Sequence, residues 1–246
     1  MFKRNLSMTL LKSPARKLPP ILIALSLCLA LFSILLANQA PKTTKQTPKL
    51  VELIKINPNI KLDIRYATKN NFTKQQVYPV AKCYVQDIVA KALDSVQKEL
   101  EKQNLGLLVF DGYRPFGVQE IFWKICPNSN YVAKPDWAKG KGSKHNRGTA
   151  VDLTLIDLKT GKALEMPSEF DDLTPKANRT YNTMSKSTAK NCKLLEDVMV
   201  KNGFEPLSTE WWHFDYKDWK KYPLMKTTFD ELLTPKNQIS YNQNLS

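Results

Sequence analysis

The sequence lacks the patterns that mark several common classes of protein. None of its four cysteines stands in a C-x-x-C pair, which argues against zinc held by cysteines. Its lysines are scattered, without a basic helix or interleaved aromatic residues, so we expect no nucleic-acid partner despite a formal charge of +14. There is no internal repeat, and 42% hydrophobic residues is ordinary for a globular protein. We therefore expect a single folded domain with extensions at its ends.

Acidic residues are absent from the first 40 positions, where five Lys and Arg side chains precede an unbroken apolar run at 21–37. Positive charge before such a run favours a cytoplasmic N-terminus and export of the residues after the run. The run is at the short limit of a membrane span and beyond a typical signal-peptide core. We predict a cytoplasmic basic segment at 1–20 and a signal peptide or membrane anchor at 21–37. The folded part would then be periplasmic or on the outer face of the cytoplasmic membrane.

The rest of the chain divides by composition. Residues 38–50 are polar and contain prolines, as in a linker. The domain is expected over 51–233, followed by a polar tail at 234–246.

Cysteine use fits an oxidising compartment only in part. Cys28 lies in the apolar run, which leaves Cys83, Cys126 and Cys192 in the domain. An odd number there permits one disulfide and one free thiol.

Hydrophobic periodicity predicts a mixture of helices and strands. Apolar residues at helical spacing predict three helices, at about 82–103, after Pro115, and near 185–202, where Gly203 ends the last one. Apolar or alternating runs predict three strands, at 105–110, 151–156 and 210–216. Because there is no regular β-α-β repetition, we expect an α+β domain with a mostly antiparallel central sheet packed by helices.

The sequence has only two histidines, and each lies near a carboxylate. His145 precedes Asp152 in SKHNRGTAVD, and His213 follows Glu210 in EWWH. A catalytic zinc site needs about three protein ligands and an open position for water. His145, Asp152 and His213 would supply two imidazoles and one carboxylate. In an ideal strand Glu210 and His213 face opposite sides, so a bulge or a strand end must bring both to the metal.

These segments, S-x-H-x-x-G-x-A-x-D followed by E-x-W-H, resemble the zinc peptidases of bacterial cell-wall metabolism that cleave bonds next to D-alanine. The resemblance is greatest to the D-alanyl-D-alanine dipeptidases, including the vancomycin-resistance enzymes, and this family shares its fold with the Hedgehog signalling domain. It extends to DIRYAT at 63–68, VFDGYRP at 109–115 and EFD at 169–171. It therefore spans about 63–216 and implies a Hedgehog-like domain with one Zn²⁺.

The resemblance also implies roles for the residues that match the family's motifs. His145, Asp152 and His213 match the zinc ligands. Glu210 matches the general base, which moves a proton from water to the departing amine. Arg114 matches the arginine that stabilises the oxyanion, although an arginine in a surface turn is the alternative.

Three further residues match positions near the substrate. Asp171 matches the carboxylate that binds the free ammonium, and the alternative is an acid that caps a loop. Ser143 is similar to a residue near the substrate carboxylate, or it is a serine of a structural turn. Tyr66 lines the pocket or packs in the core. Trp211 and Trp212 are interpreted as core or pocket wall.

The function that this resemblance implies is hydrolysis of D-alanyl-D-alanine, or similar D,D-dipeptides, to free amino acids. One alternative is a D,D-carboxypeptidase acting on peptidoglycan stem peptides, which have no free amine for Asp171 to bind. Another is a non-catalytic, zinc-containing module that binds the cell wall, but such a module would not need Glu210.

Overall fold

Seven strands and five α-helices make up the part of the chain that a computed structural model describes, residues 45–234. The strands are β1 Leu50–Glu52, β2 Lys61–Leu62, β3 Tyr84–Gln86, β4 Leu105–Asp111, β5 Ala150–Asp157, β6 Phe204–Pro206 and β7 His213–Tyr216. The helices are α1 Leu53–Ile56, α2 Asp87–Glu101, α3 Phe116–Ile125, α4 Lys186–Lys201 and α5 Phe229–Leu233. The predictions for 1–20, 21–37 and, beyond residue 234, the polar tail lie outside the described residues.

The strands form two sheets. A five-stranded sheet has the order β2-β4-β5-β7-β6, in which β2 and β4 are parallel and the other neighbours are antiparallel. A separate antiparallel pair joins β1 to β3. Helices and strands are therefore mixed without β-α-β repetition, and the predicted α+β class with a mostly antiparallel sheet is confirmed.

The central strand β5 separates the core from the functional face of the sheet. Leu153 and Leu155 are fully buried and belong to the same apolar core as Leu93 and Val96 of α2. Because side chains alternate along a strand, Asp152 and Thr154 point to the opposite face. The helices thus bury one face of β5 and leave its polar positions on the other.

Two predicted elements begin later than the sequence indicated. Helix α2 begins at Asp87 rather than near residue 82, because residues 84–86 pair with β1 as strand β3. Strand β7 begins at His213 rather than at Glu210. Before it the chain turns, with the Glu210 N–H donating to Leu207 O over 3.4 Å. The first difference is caused by pairing with a strand that is distant in the sequence, and the second by a hydrogen-bonded turn. The spacing of hydrophobic residues indicates neither.

The folded domain also begins before the predicted boundary at Val51. Strand β1 starts at Leu50, inside the predicted linker, and the Gln46 N–H donates to Lys221 O over 2.7 Å. At the other end, α5 finishes at Leu233.

Cysteines and apolar helices give two further results. Cys83, Cys126 and Cys192 are all free thiols, so the disulfide that their number permits is not formed. They lie apart in the fold: Cys83 is next to β3, Cys126 ends α3, and Cys192 lies in α4, where its sulfur contacts Met166.

Among the helices at 45–234, none has both the length and the apolar character to cross a membrane.

Candidate active site

Three side chains from separate elements converge on the polar face of β5. Asp152 of β5 lies directly opposite His213 of β7 in the antiparallel register. His145 lies in a 3-10 turn, Lys144–Arg147, which Gly148 ends with a positive φ of 66°. One ligand atom from each of the three lies within 4.8 Å of the others. We call these residues the His–Asp–His cluster.

The hydrogen bonds of each imidazole determine which nitrogen faces the cluster. His145 Nδ1 lies 2.7 Å from Gly112 O, a carbonyl that can only accept, so its proton is on Nδ1. His213 Nε2 lies 3.0 Å from Asp215 Oδ1 and donates in the same way. The remaining lone pairs, on His145 Nε2 and His213 Nδ1, face each other at 3.2 Å. Asp152 Oδ1 lies 3.0 Å from the latter and 3.3 Å from the former.

Three electron-pair donors in such close contact repel one another unless a cation lies among them. When no metal is bound, a proton on His213 Nδ1 takes the place of that cation: burial lowers the pKa of His213, but the hydrogen bonds to Asp152 and Asp215 outweigh it and raise the pKa to about 10. The two histidines also hold the pKa of Asp152 well below its usual range, although burial opposes this. The cluster therefore binds positive charge, and two imidazole nitrogens with one carboxylate oxygen fit Zn²⁺.

Glu210 reaches the cluster from the turn before β7. Its Oε2 lies 3.8 Å from His213 Nδ1. Because β7 begins only at His213, the alternation of a strand does not apply to Glu210, and both side chains point to one site. Glu210 and His213 can therefore face the same site because β7 begins between them, and no bulge is needed. Burial raises the pKa of Glu210 to about 7, and the nearby Asp152 charge adds to this.

Arg114 lies beside the cluster in the connection between β4 and α3. Its Nε and Nη2 donate to Asp111 Oδ2 over 3.1 and 2.8 Å, and Nη1 donates to Gln119 Oε1 over 2.9 Å. These bonds leave one N–H on each terminal nitrogen without a partner at 45–234. Nη2 lies 3.8 Å from Asp152 Oδ2, so the guanidinium is held at the edge of the cluster. Arg114 is buried, and the alternative of a surface turn arginine is wrong.

A single cavity of about 250 Å³ contains all the site residues predicted from the sequence. We call it the site cavity. Its lining includes Tyr66, Arg114, Ser143, His145, Asp152, Asp171, Glu210 and His213. Trp211 and Trp212 are both buried, and Trp212 lines this cavity.

Comparison with known proteins identifies the family. Residues 46–232 match the family described as D-ala-D-ala dipeptidase. The chain belongs to this family. It is 32% identical to the D-alanyl-D-alanine dipeptidase of Escherichia coli (strain K12) over 192 residues, which cover 78% of this chain and 97% of that protein. It is 33% identical to the D-alanyl-D-alanine dipeptidase of Enterococcus faecium over 180 residues, covering 67% and 89%.

A solved structure is also similar in part. It is a variant of the vancomycin resistance D,D-pentapeptidase VanY from a VanB-type resistance cassette, in complex with Zn(II). The TM-score is 0.34 and the sequence identity 16%, over 55% of this chain and 73% of that one.

Within this dipeptidase domain, Asp171 lies in the site cavity in a constrained conformation. Its φ of 64° is in the left-handed region, which is unfavourable for a residue with a side chain. Oδ1 accepts a hydrogen bond of 2.9 Å from the Tyr66 hydroxyl, and the Phe72 N–H lies 3.4 Å from Oδ2. Burial raises the pKa of Asp171 to about 7. Backbone strain at a half-buried, weakly paired carboxylate is typical of a functional position.

Tyr66 and Ser143 each combine a structural contact with a place in the cavity wall. Tyr66 is buried, and its ring lies 5.4 Å from the Arg114 guanidinium carbon. Ser143 caps the turn that carries His145, whose N–H donates to Ser143 Oγ over 3.2 Å. The two interpretations of each residue are therefore compatible.

Several residues that support the site of this dipeptidase domain were not predicted. Asp215 follows His213 by two positions on the same strand, so the alternation of β7 could have indicated it. Asp111 stands in the motif VFDGYRP and holds Arg114. Gln119 bonds Arg114 from α3, and no sequence signal marks it.

Proposed function

We propose that this protein is a zinc-dependent dipeptidase that hydrolyses D-alanyl-D-alanine, or closely similar D,D-dipeptides, to free amino acids in bacterial cell-wall metabolism. One observation carries the proposal: the Asp171 carboxylate shares a cavity of about 250 Å³ with the His–Asp–His cluster, Glu210 and Arg114. The cavity volume lies below the usual range for drug-sized ligands and suits a very small substrate.

His145, Asp152 and His213 would hold one Zn²⁺ per chain. Zinc in such a site supplies a Lewis acid that polarises the scissile carbonyl and makes water a stronger nucleophile near neutral pH. Gly112 O and Asp215 hold the two imidazoles so that their lone pairs face the ion. Lys144 Nζ, in turn, lies 2.5 Å from Asp215 Oδ2.

Glu210 is the general base in this proposal. Its carboxylate takes a proton from the attacking water and gives it to the departing amine. A pKa of about 7, raised by burial, suits a group that must both accept and release a proton near neutral pH.

Arg114 stabilises the negative charge that develops on the carbonyl oxygen. Asp111 and Gln119 hold three of its N–H groups, so its orientation is set before the substrate binds. The remaining N–H groups on Nη1 and Nη2 are available to the oxyanion. Fixed positive charge in a buried cavity lowers the barrier most when it need not reorganise during the reaction.

Asp171 decides the substrate class. An ammonium group at the N-terminus of a dipeptide would pair with its carboxylate, and the Tyr66 hydroxyl would hold that carboxylate in position. A stem peptide carries no free amine next to the scissile residue, so it would offer the Asp171 carboxylate no cation to pair with. Ser143 stands at the cavity wall, where it would lie near the substrate carboxylate.

Export is part of the proposal. The five cationic residues before the apolar run at 21–37 support an orientation in which the domain lies outside the cytoplasm. A periplasmic or outer-face position would expose the enzyme to dipeptides released from the wall.

The test is release of D-alanine by the purified, zinc-loaded full-length chain from two substrates in parallel. One is D-alanyl-D-alanine and the other is the same dipeptide with its amine acetylated. We expect cleavage of the free dipeptide only. Preference for the acetylated form would assign the protein to the carboxypeptidases, and cleavage of neither by a zinc-loaded chain would favour the wall-binding module.

A further inference from the structure

A second cavity, of about 480 Å³, lies on the same face of the five-stranded sheet as Asp152. We call it the Thr154 groove. Thr154 of β5 and its cross-strand partner Leu108 of β4 lie at its base. Apolar walls surround them, formed by Phe110, Leu164, Met166, Phe170 and Trp211. The volume lies within the range of binding sites for small molecules.

The base of the groove contains a buried hydroxyl that has no hydrogen-bond partner among the residues that the structure describes. Thr154 is only 2% exposed, and its Oγ1 forms no hydrogen bond with any residue at 45–234. Burying a hydroxyl without a hydrogen bond is unfavourable, and few such groups persist in folded proteins. Thr154 lies two positions after Asp152, so it faces the polar side of the sheet rather than the core. A ligand group that accepts or donates a hydrogen bond would satisfy it.

The rim of the groove is acidic, although the protein as a whole is strongly basic. Asp63, Glu165 and Glu169 line it, and Arg65 is the one cationic residue of the lining within 45–234. Arg65 Nε donates to Asp63 Oδ2 over 2.6 Å, and its guanidinium lies 5.2 Å from the centre of the Phe110 ring. In the described part of the chain, Glu165 and Glu169 have no ion-pair partner, so the rim favours a cation.

We propose that the Thr154 groove binds a small amphipathic amine. Its polar inner end would hydrogen bond to Thr154, its apolar body would lie against Phe110 and Met166, and its ammonium group would face Glu165 and Glu169. These three requirements correspond to the three parts of the groove: a hydroxyl at the base, apolar walls and an acidic rim.

The groove is separate from the site cavity. Phe170 lines the groove, whereas the next residue, Asp171, lines the site cavity. Phe170 stacks on Phe110 at 4.6 Å between ring centroids and contacts Trp212 at 5.4 Å, so it forms the wall between the two. Because Asp171 could also attract an amine, the experiment must distinguish the two cavities.

The probes are tyramine, phenethylamine and 3-(4-hydroxyphenyl)propionate, titrated into the full-length chain by calorimetry. Tyramine has all three features, phenethylamine lacks the hydroxyl, and the propionate replaces the ammonium with a carboxylate. We expect tyramine to bind, phenethylamine to bind roughly fivefold more weakly, and the propionate not to bind. In Thr154→Val the advantage of tyramine over phenethylamine should disappear.

Charge variants locate the site. The double variant Glu165→Gln/Glu169→Gln should weaken tyramine binding at least roughly threefold, whereas Asp171→Asn should leave it unchanged. Glu205→Gln is the matched control, because Glu205 is an exposed acid of β6 that lines neither cavity. Absence of tyramine binding would overturn the proposal. Loss of binding in Asp171→Asn, with retention in the double variant, would do so too, because the amine would then occupy the site cavity.

Discussion

Arg114 Nη1 donates a hydrogen bond of 2.9 Å to Gln119 Oε1, and the amide of the same glutamine donates to Ala133 O over 2.7 Å. Gln119 is fully buried. Residues 129–133 line the site cavity, so this one side chain ties the oxyanion-binding group of the proposed mechanism to a wall of the cavity.

Replacement of Gln119 should therefore impair turnover more than folding. We expect Gln119→Met to lower kcat roughly tenfold, because Arg114 loses a fixed contact and the 129–133 wall loses its anchor. Steady-state kinetics separates kcat from KM. The control is Gln97→Met, since Gln97 is another buried glutamine that accepts from the Leu107 N–H, away from the site. That variant should lose thermal stability and keep kcat; equal kcat values for the two variants would contradict a positioning role.

Glu210→Gln should abolish most activity and leave the metal in place. The amide keeps the shape of the side chain but cannot accept the proton, so we expect kcat to fall by roughly 10²–10⁴. Zinc content, measured by atomic emission after dialysis, should match the unaltered chain because Glu210 is not among the three ligands in our proposal. A variant within threefold of full activity would exclude Glu210 as the base.

Asp171 should make substrate capture depend on pH. Burial raises its pKa from 3.8 to about 7, and only the ionised form pairs with an ammonium group, so kcat/KM should rise as pH increases through about 7. Asp171→Asn should lose roughly 10–100-fold in kcat/KM for the free dipeptide. Glu210 titrates in the same range. The ratio of the kcat/KM–pH profile of the unaltered chain to that of Asp171→Asn therefore isolates the contribution of Asp171. A ratio that stays constant from pH 5 to 9 would contradict the assignment.

Asp171 should also affect the free energy of unfolding, which should fall rather than rise with increasing pH. Between the unfolded pKa near 3.8 and the folded pKa near 7, the folded chain holds a proton that the unfolded chain has released. The free energy of unfolding contributed by this group therefore falls as pH rises across that interval. Asp171→Asn removes this contribution, so the variant should gain stability relative to the unaltered chain as pH rises from about 4 to about 7. Denaturant unfolding of both proteins at a series of pH values measures this difference in the free energy of unfolding.

Asp215→Asn should weaken zinc binding without removing a ligand. Asp215 holds His213 by its Nε2, and loss of such an outer partner typically reduces metal affinity by roughly 10–100-fold. Competition with a chelator of known affinity gives the zinc dissociation constant. Asp218→Asn is the control, because Asp218 pairs with Lys221 at the surface. Similar zinc affinity in the two variants would show that Asp215 does not support the site.

The sequence predicted the elements that are determined by neighbouring residues and missed those that depend on residues far away in the chain. The spacing of Val89, Leu93 and Val96 sufficed for α2, because one helix face is buried. The start of that helix was misplaced because residues 84–86 pair with β1, a partner more than 30 positions away. The candidate site followed from family motifs rather than from spacing, because the two histidines stand 68 positions apart.

The supporting residues show where sequence reasoning ends. Gln119 acquires its role only because α3 places it against Arg114, and glutamines on amphipathic helices are common. In the sequence Thr154 is one more alternating residue of a strand, and only the apolar groove around it makes its hydroxyl notable.

The pairing of β5 with β7 determines the stage of synthesis and folding at which the protein can become active. His213 is positioned opposite Asp152 only by that antiparallel register, and β7 comes after almost everything else in the domain. A nascent or translocating chain in which β7 has not yet folded lacks the third proposed metal ligand, the proposed base and Asp215 together. On the export that we propose, the cytoplasmic supply of D-alanyl-D-alanine is thereby protected during synthesis, since the chain becomes competent only after its last strand has crossed and folded.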